Sequence, residues 1–367
     1  MDLICLKQQL QKNIQLAERY IGRLSSAPSL TGVFMEAQKN YLIIRSTDLN
    51  IGFESKIAAE VKKEGSVVVA PHPVVALLSS LNTEKIKIEV KNNNLYFTTP
   101  KTTTAVKIYS SENFPKLPKI KNEQKIIFKT NNLLSNLKSV SFCSSTSDIK
   151  PEITSILFKD CGKKIKFVAT DSFRLAEKTS DQEEGIKNQI YFLFPARAAA
   201  EFMRLLDNFQ GELEFNLTNS HLFINHPSFS FFTNLTEGKF PEYEQIIPTT
   251  FTTEVTVNRS ELMENLKLSG IFAGRLREAG LRIYPEDNLL EILTNDSELG
   301  EHTSQLTAQI TGESLNIAFN QRYLLEGLDP ISSENVILRF CGQNKPLVIQ
   351  SPTDLSYIYL IMPMKNV

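Results

Sequence analysis

The side chains best suited to chemistry are three aspartates, each closing an apolar run. They end Ile43-Ile44-Arg45-Ser46-Thr47-Asp48, Lys166-Phe167-Val168-Ala169-Thr170-Asp171 and Leu290-Glu291-Ile292-Leu293-Thr294-Asn295-Asp296. Two carboxylates can divide acid and base work in a hydrolase when they stand roughly 5 to 10 Å apart. Here the three lie in separate stretches of chain, and a carboxylate just after a strand can also accept from the amides of a tight turn. Hairpin turns are therefore the expectation. The four histidines, His72, His221, His226 and His302, lack metal-ligand spacing. His221 and His226 read as a strand and the turn after it. Gly162-Lys163 lacks the earlier glycine and the following hydroxyl of a phosphate loop, and no dinucleotide fingerprint, Walker loop, zincin helix, nucleophile elbow or kinase set is found. No catalytic residue, metal or cofactor is assigned, and a non-enzymatic protein is expected.

Composition narrows the class. The 367 residues, 41% hydrophobic and 22% charged, suit a packed protein of two or three domains. Cys5, Cys143, Cys161 and Cys341 show no Cys-x-x-Cys spacing, which predicts reduced, mostly buried thiols. No apolar run approaches the roughly 18 to 20 residues of a membrane-spanning helix, and Met1 to Gln15 has no basic stretch followed by an apolar core. A cytoplasmic chain without a membrane partner is the expectation. Forty basic and 41 acidic residues leave a formal charge of −1, so any nucleic-acid contact must come from local arrangement.

The elements that would position these residues recur. Four kinds of marker return in the same order at intervals of about 124 residues, the signature of a repeated unit. Besides the aspartate phrases, they are the helix starts at Pro71, Pro195 and Asn320, the pairs Phe114-Pro115 and Phe240-Pro241, and an amphipathic segment around Leu10, Leu133 and Leu262. Boundaries near 120 and 248 divide the chain into 1–120, 121–248 and 249–367. Helical spacing of Leu10, Ile14, Ala17 and Ile21, and of Leu133, Leu137 and Val140, predicts the first helix of each unit. In the third copy Asn258 and Glu261 form a capping box ahead of Leu262 and Leu266. Second helices are predicted over 73–81, 195–207 and 320–328. Alternating runs such as Lys85-Ile86-Lys87-Ile88-Glu89-Val90, Leu95-Tyr96-Phe97, Leu213-Glu214-Phe215 and Tyr357-Ile358-Tyr359-Leu360 read as antiparallel strands with one wet face. The fold class is α+β: three repeated domains, each two helices packed on antiparallel sheet.

Several phrases in order carry a resemblance. They are Ser46-Thr47-Asp48-Leu49, Glu112-Asn113-Phe114-Pro115, Ala169-Thr170-Asp171-Ser172-Phe173-Arg174-Leu175-Ala176, Gly238-Lys239-Phe240-Pro241-Glu242-Tyr243, Phe319-Asn320-Gln321-Arg322-Tyr323 and Met362-Pro363-Met364-Lys365. Over essentially its whole length the chain resembles the bacterial DNA polymerase III beta subunit, the sliding clamp. The resemblance implies the DNA clamp fold and a homodimer closed head to tail into a six-domain ring, with helices lining the hole. It implies double-stranded DNA held topologically and without regard to sequence, and a cytoplasmic, nucleoid-associated location. It also implies partners bound through short peptide motifs: the DNA polymerase III alpha subunit, the clamp loader, other polymerases and repair proteins.

Carried over residue by residue, the partner-peptide cleft comprises Ile153, Thr170, Phe173, Arg174, Leu175, Pro241, Ile246, Tyr323, Leu360, Met362, Pro363 and Met364. Methionines near prolines and an aromatic suit an adaptable apolar groove. Basic residues on the lining helices, Arg19, Arg23, Lys138, Arg197, Arg204, Lys267 and Arg322, are candidates for loose phosphate contact. The first copy has Pro71-His72-Pro73 where the second has Pro195-Ala196-Arg197, and so lacks that cation. For the ring joint the resemblance points to Lys107 and Ile108 meeting Ile271 and Phe272 of a second copy. The sequence departs from the family pattern where Ser172 and Phe173 replace a common glycine and histidine, where Gln245 replaces a frequent arginine, and where Glu278 stands at an apolar position. An altered peptide preference follows from these departures.

Overall fold

Helices form where the apolar spacing places them, except that the first stops at Ala17 and leaves Ile21 in extended backbone after the single turn Glu18–Tyr20. In the computed structural model, which describes residues 1–22, 28–115, 124–147, 149–181 and 190–364, they are α1 (Lys7–Ala17), α2 (Pro71–Ser80), α3 (Thr130–Ser141), α4 (Ala196–Leu206), α5 (Arg259–Ser269) and α6 (Gln321–Leu328). The first helices bury Leu10 and Ile14, Leu133, Leu137 and Val140, and Leu262 and Leu266. Proline opens α2, and asparagine caps α5 and α6 from outside, Asn258 Oδ1 accepting from the Glu261 amide at 3.1 Å and Asn320 Oδ1 from the Tyr323 amide at 3.2 Å.

By internal contacts the chain divides into two compact units. One comprises the described residues of 1–131 and 204–235, the other those of 132–182, 189–203 and 236–367. In the first, a twelve-stranded antiparallel sheet runs Asp2–Leu6, Lys85–Lys91, Asn94–Thr98, Thr103–Tyr109, Gly65–Val69, Val33–Gln38, Tyr41–Thr47, Ile51–Lys63, Phe229–Asn234, His221–His226, Glu212–Leu217, Gln124–Lys129. Asp2–Leu6 also pairs with Ile51–Lys63, closing the first eight strands on themselves. α1 packs on α2 and on Tyr41–Thr47 and Ile51–Lys63.

The second unit holds two sheets. A nine-stranded one runs Tyr191–Pro195, Ser155–Asp160, Lys164–Thr170, Arg174–Asp181, Tyr357–Ile361, Leu347–Gln350, Asn335–Phe340, Thr253–Asn258, Gln309–Gly312. A four-stranded one runs Gly300–Thr307, Leu289–Asp296, Glu278–Tyr284, Leu315–Asn320. α5 packs on α6 and on the strands Leu289–Asp296 and Gly300–Thr307.

The α+β class with helices on antiparallel sheet thus holds, but the sheets are shared between repeats. Residues 212–234 of the middle repeat extend the strands of the first, Phe231 opposite Phe53, and Arg174–Asp181 pairs with Tyr357–Ile361 of the last. Each repeat leaves strand edges that its neighbour in sequence satisfies. The wet-face pattern holds for Lys85–Lys91, where Ile86 and Ile88 are buried between exposed or half-buried neighbours. It fails for Tyr357–Ile361: Tyr359 turns toward α6, its hydroxyl donating to the Tyr323 carbonyl at 2.9 Å, while Leu360 enters a core on the other face.

The Phe-Pro markers share one role. Phe114 stacks on Phe34 with ring centroids 4.9 Å apart and packs on Val68. Phe240 seats among Leu157, Leu175, Leu193 and Leu360. Each phenylalanine pins the segment that follows a strand onto an apolar sheet face, where burial contributes roughly 1.5–3 kcal/mol.

Candidate peptide-binding cleft

The cleft begins at a turn. Asp171 Oδ1 accepts from the amides of Phe173 and Arg174, both at 3.0 Å, and Thr170 Oγ1 donates to the Arg174 carbonyl at 2.7 Å. Ser172 between them sits at φ 76°, the left-handed region that costs a residue with a Cβ about 1–2 kcal/mol. The turn leaves the Phe173 side chain 63% exposed and sends Arg174 inward, 8% exposed.

Arg174 then gathers three elements. Its Nε donates to Asp171 Oδ2 at 2.9 Å, Nη2 to the Phe142 carbonyl at 2.7 Å after the end of α3, and Nη1 to Glu326 Oε2 on α6. The guanidinium carbon stands 4.0 Å from the centroid of the Tyr323 ring, a cation–π contact within the usual range. Burial works against the guanidinium's charge, yet the hydrogen bonds to Glu326 and Asp171, with neighbouring groups, raise its pKa above the ordinary arginine value. Burial likewise opposes the charge of Glu326, but the hydrogen bonds from Arg174 and Arg322 prevail and hold this carboxylate below its usual range.

The terminal segment completes the wall. The Met362 amide donates to the Phe173 carbonyl and the Met364 amide to the Ala318 carbonyl, each at 2.8 Å. Met362 stays 39% exposed, and Pro363 and Met364 are half-buried. On the other face of the sheet, the loop after Phe240 carries Pro241 and Ile246, both exposed. Tyr243 fixes that loop: its hydroxyl donates to Glu177 Oε2 at 2.6 Å, and Glu177 also pairs with Lys166 at 3.1 Å. Burial first, then the Glu177 bond, push the Tyr243 hydroxyl's pKa well up, so it remains a donor. Beside Pro241 and Tyr243 lies a cavity of about 450 Å³ lined also by Leu157, Lys159 and Tyr191.

Phe173, Ile246 and Met362 are thus exposed, whereas Leu175 and Leu360 are 0% and 2% exposed and pack in one core with Phe240 and Tyr243. Thr170 and Ile153 are buried too; the Ile153 carbonyl accepts from the Ser145 amide at 2.9 Å, which ties its loop to the segment after α3. Tyr323, half-buried, stands at the Arg174 end. Glu278 is exposed at the start of its strand, opposite Asn320, and Gln245 is exposed with its amide bound to Glu242. Sequence reasoning missed Asp171 as an orienting group for Arg174, along with Glu326 and Phe142. The pairing of Glu326 with Arg322 one helical turn earlier was the available signal for one of them.

Elsewhere the aspartates close turns. Asp48 Oδ1 accepts from the amides of Asn50 and Ile51 at 3.0 and 2.7 Å, and Asp296 Oδ1 from those of Glu298 and Leu299 at 3.0 and 3.1 Å. Among the described residues no cluster of metal-ligating side chains occurs, and no helix is long and apolar enough to cross a membrane. His226 ends the strand His221–His226, its ring bound to the Gln210 carbonyl and the Ser228 amide. Cys5, Cys143 and Cys341 are buried, and burial pushes the Cys5 thiol up to about 12; Cys161 is exposed.

Of the candidate DNA-facing cations, Lys138 lies on α3, Arg197 and Arg204 on α4, Lys267 on α5 and Arg322 on α6, all exposed. Arg19 is exposed on the single turn Glu18–Tyr20 after α1, and Arg23 lies outside the described residues. Of the candidate joint residues, Lys107 and Ile108 lie on Thr103–Tyr109, whose one side is covered by Asn94–Thr98 and whose other, among the described residues, is paired at Ile108 and Tyr109 alone. Ile271 is 62% exposed, not core, and Phe272 stacks on His302 of the edge strand Gly300–Thr307.

Comparison with known proteins gives this arrangement its relatives. Residues 1–118, 128–242 and 244–365 match the N-terminal, central and C-terminal domains of the DNA polymerase III beta subunit. The chain belongs to that family. Its similarity extends end to end. The beta sliding clamp of Bacillus subtilis is 25% identical over 98% of each chain, and that of Treponema pallidum 26% over the whole of both. The crystal structure of the Bacillus subtilis DNA polymerase sliding clamp covers the chain fully at a TM-score of 0.95 and 25% identity. The Thermotoga maritima DNA polymerase III beta subunit does so at 0.92 and 22%. The three-domain clamp fold of this family is therefore the fold of this chain.

Proposed function

We propose that this chain is a DNA sliding clamp: a non-enzymatic homodimeric ring that encircles duplex DNA and tethers polymerases through the Arg174 cleft, conferring processivity. What carries the reading is the full-length likeness to the Bacillus subtilis DNA polymerase sliding clamp, at a TM-score of 0.95. In this reading the three domains span 1–120, 121–248 and 249–367, and the matched family ranges support that division.

A formal charge of −1 fits enclosure better than adhesion. A protein held by phosphate contacts alone needs many cations and loses affinity steeply with salt. A closed ring needs only loose contacts that position without reading bases. Arg19, Lys138, Arg197, Arg204, Lys267 and Arg322, exposed on or beside helices, supply them; Arg23 joins them by resemblance alone. The cleft receives short peptides of the DNA polymerase III alpha subunit, the clamp loader, other polymerases and repair proteins. Exposed Phe173, Ile246, Met362 and half-buried Met364 give it an apolar, adaptable rim. A cytoplasmic, nucleoid-associated location follows from this role.

The ring joint is assigned to Lys107 and Ile108 of one copy and Ile271 and Phe272 of the other. Incompletely paired Thr103–Tyr109, the free edge of Gly300–Thr307 and exposed Ile271, Leu276 and Leu299 favour it. Sedimentation at micromolar concentration tests this. The native protein should run at about twice the 41.5 kDa chain mass, and Ile271→Asp as a monomer. A native monomer would sink the ring.

A further inference from the structure

We propose that Glu326 is a positioning residue that couples the two faces of α6, so that duplex DNA at Arg322 tightens peptide binding in the Arg174 cleft. This rests on the clamp reading and goes beyond it. Glu326 carries one negative charge shared by two guanidiniums. Its Oε1 accepts from Arg322 Nε at 2.6 Å, and its Oε2 from Arg174 Nη1. Arg322 is 59% exposed and free to turn toward a phosphate; Arg174 is 8% exposed and has its three nitrogens committed. Tyr323, the residue after Arg322, is the ring against which Arg174 lies.

The sign follows from the sharing. A phosphate that draws Arg322 away leaves the whole Glu326 charge to Arg174, and a charge-assisted bond strengthens when its acceptor loses a competing donor. The tighter Arg174–Glu326 pair holds the Asp171 turn, and with it Phe173, against Tyr323 on α6. A more preorganised cleft binds its peptide with less ordering cost. By linkage the peptide must tighten duplex binding by the same factor.

The test uses the full-length protein, a fluorescein-labelled apolar hexapeptide, and a nicked circular duplex onto which a clamp loader places the protein. Peptide affinity is titrated with and without the duplex. The native protein should bind peptide about fivefold tighter when duplex is present, a typical coupling. Arg322→Gln should show that tighter affinity without duplex, because Glu326 is already released to Arg174, and duplex should add nothing. Glu326→Gln should bind peptide more weakly and lose the coupling; its thermal melt reports whether it is folded, and exposed Arg322→Gln stands as the second variant. Coupling that persists in Glu326→Gln, or an Arg322→Gln affinity equal to that of the native protein without duplex, would overturn the inference. A native protein that binds both probes without coupling overturns it alone. One that binds neither overturns the clamp reading with it.

Discussion

At the Asp48 hairpin, Thr47 Oγ1 donates to the Ile51 carbonyl at 2.7 Å, Asp48 takes the next two available amides, and Leu49 sits at φ 75°. At the Asp171 hairpin, Thr170 Oγ1 donates to the Arg174 carbonyl at 2.7 Å, Asp171 does the same work, and Ser172 sits at φ 76°. The backbone solution is one and the same. The two part at the residue three after the aspartate: Ile51 is an apolar core residue, 4% exposed, whereas Arg174 is a buried cation tied to α6 and to the segment after α3. The turn is common to both repeats, and the residue three after the aspartate decides whether the hairpin end is packed core or a cation that gathers three elements.

The comparison can be broken most sharply at that position. Arg174→Ala leaves the Phe142 carbonyl without its donor and Glu326 with Arg322 alone, and should cost about 1–3 kcal/mol in chemical denaturation, with at least a tenfold loss of apolar-peptide affinity. Ile51→Ala should cost about 2–5 kcal/mol through a cavity and leave peptide affinity unchanged. Equal losses of affinity in the two variants would erase the distinction between fold and site. Next, Asp171→Asn should destabilise by about 2–3 kcal/mol because it loosens turn and Arg174 together, against about 1 kcal/mol for Asp48→Asn. Matching values would mean that Asp171 does nothing for Arg174.

Smaller effects sharpen the likeness. Ser172→Gly and Leu49→Gly each relieve a left-handed residue and should raise stability by about 0.5–1 kcal/mol after the entropic cost of glycine. A gain at one and a loss at the other in thermal melts would show the turns to be unlike. The last effect is acid dependence. Glu326 is held below the usual carboxylate range, so its contribution is fully present above the ordinary glutamate pKa and is lost as pH falls through its folded value. Peptide affinity of the native protein should therefore be flat above the ordinary glutamate pKa and decline only below it. A decline centred near pH 6 would point to a histidine instead.

Much of this was legible in the sequence because its signals are local. An aspartate after an apolar run specified three turns, the spacing of Leu10 and Ile14 specified a helix face, and Asn258 specified a cap. The partition of strands was not legible, because the pairing of Phe229–Asn234 with Ile51–Lys63 leaves no mark in either segment. Arg174 stood out within its phrase, but its partners Phe142 and Glu326 lie 32 and 152 positions away, beyond the reach of any local pattern. Alternation alone could not say that Leu175 and Leu360 pack in one core with Phe240 and Tyr243.

Enclosure is tested most directly by loading the protein onto nicked circular duplex DNA with a clamp loader and then cutting the circle once. The account predicts retention at high salt while the circle is intact and rapid release from the cut ends. Protein that stays on the linear product, or that salt strips equally well from circle and line, would contradict it.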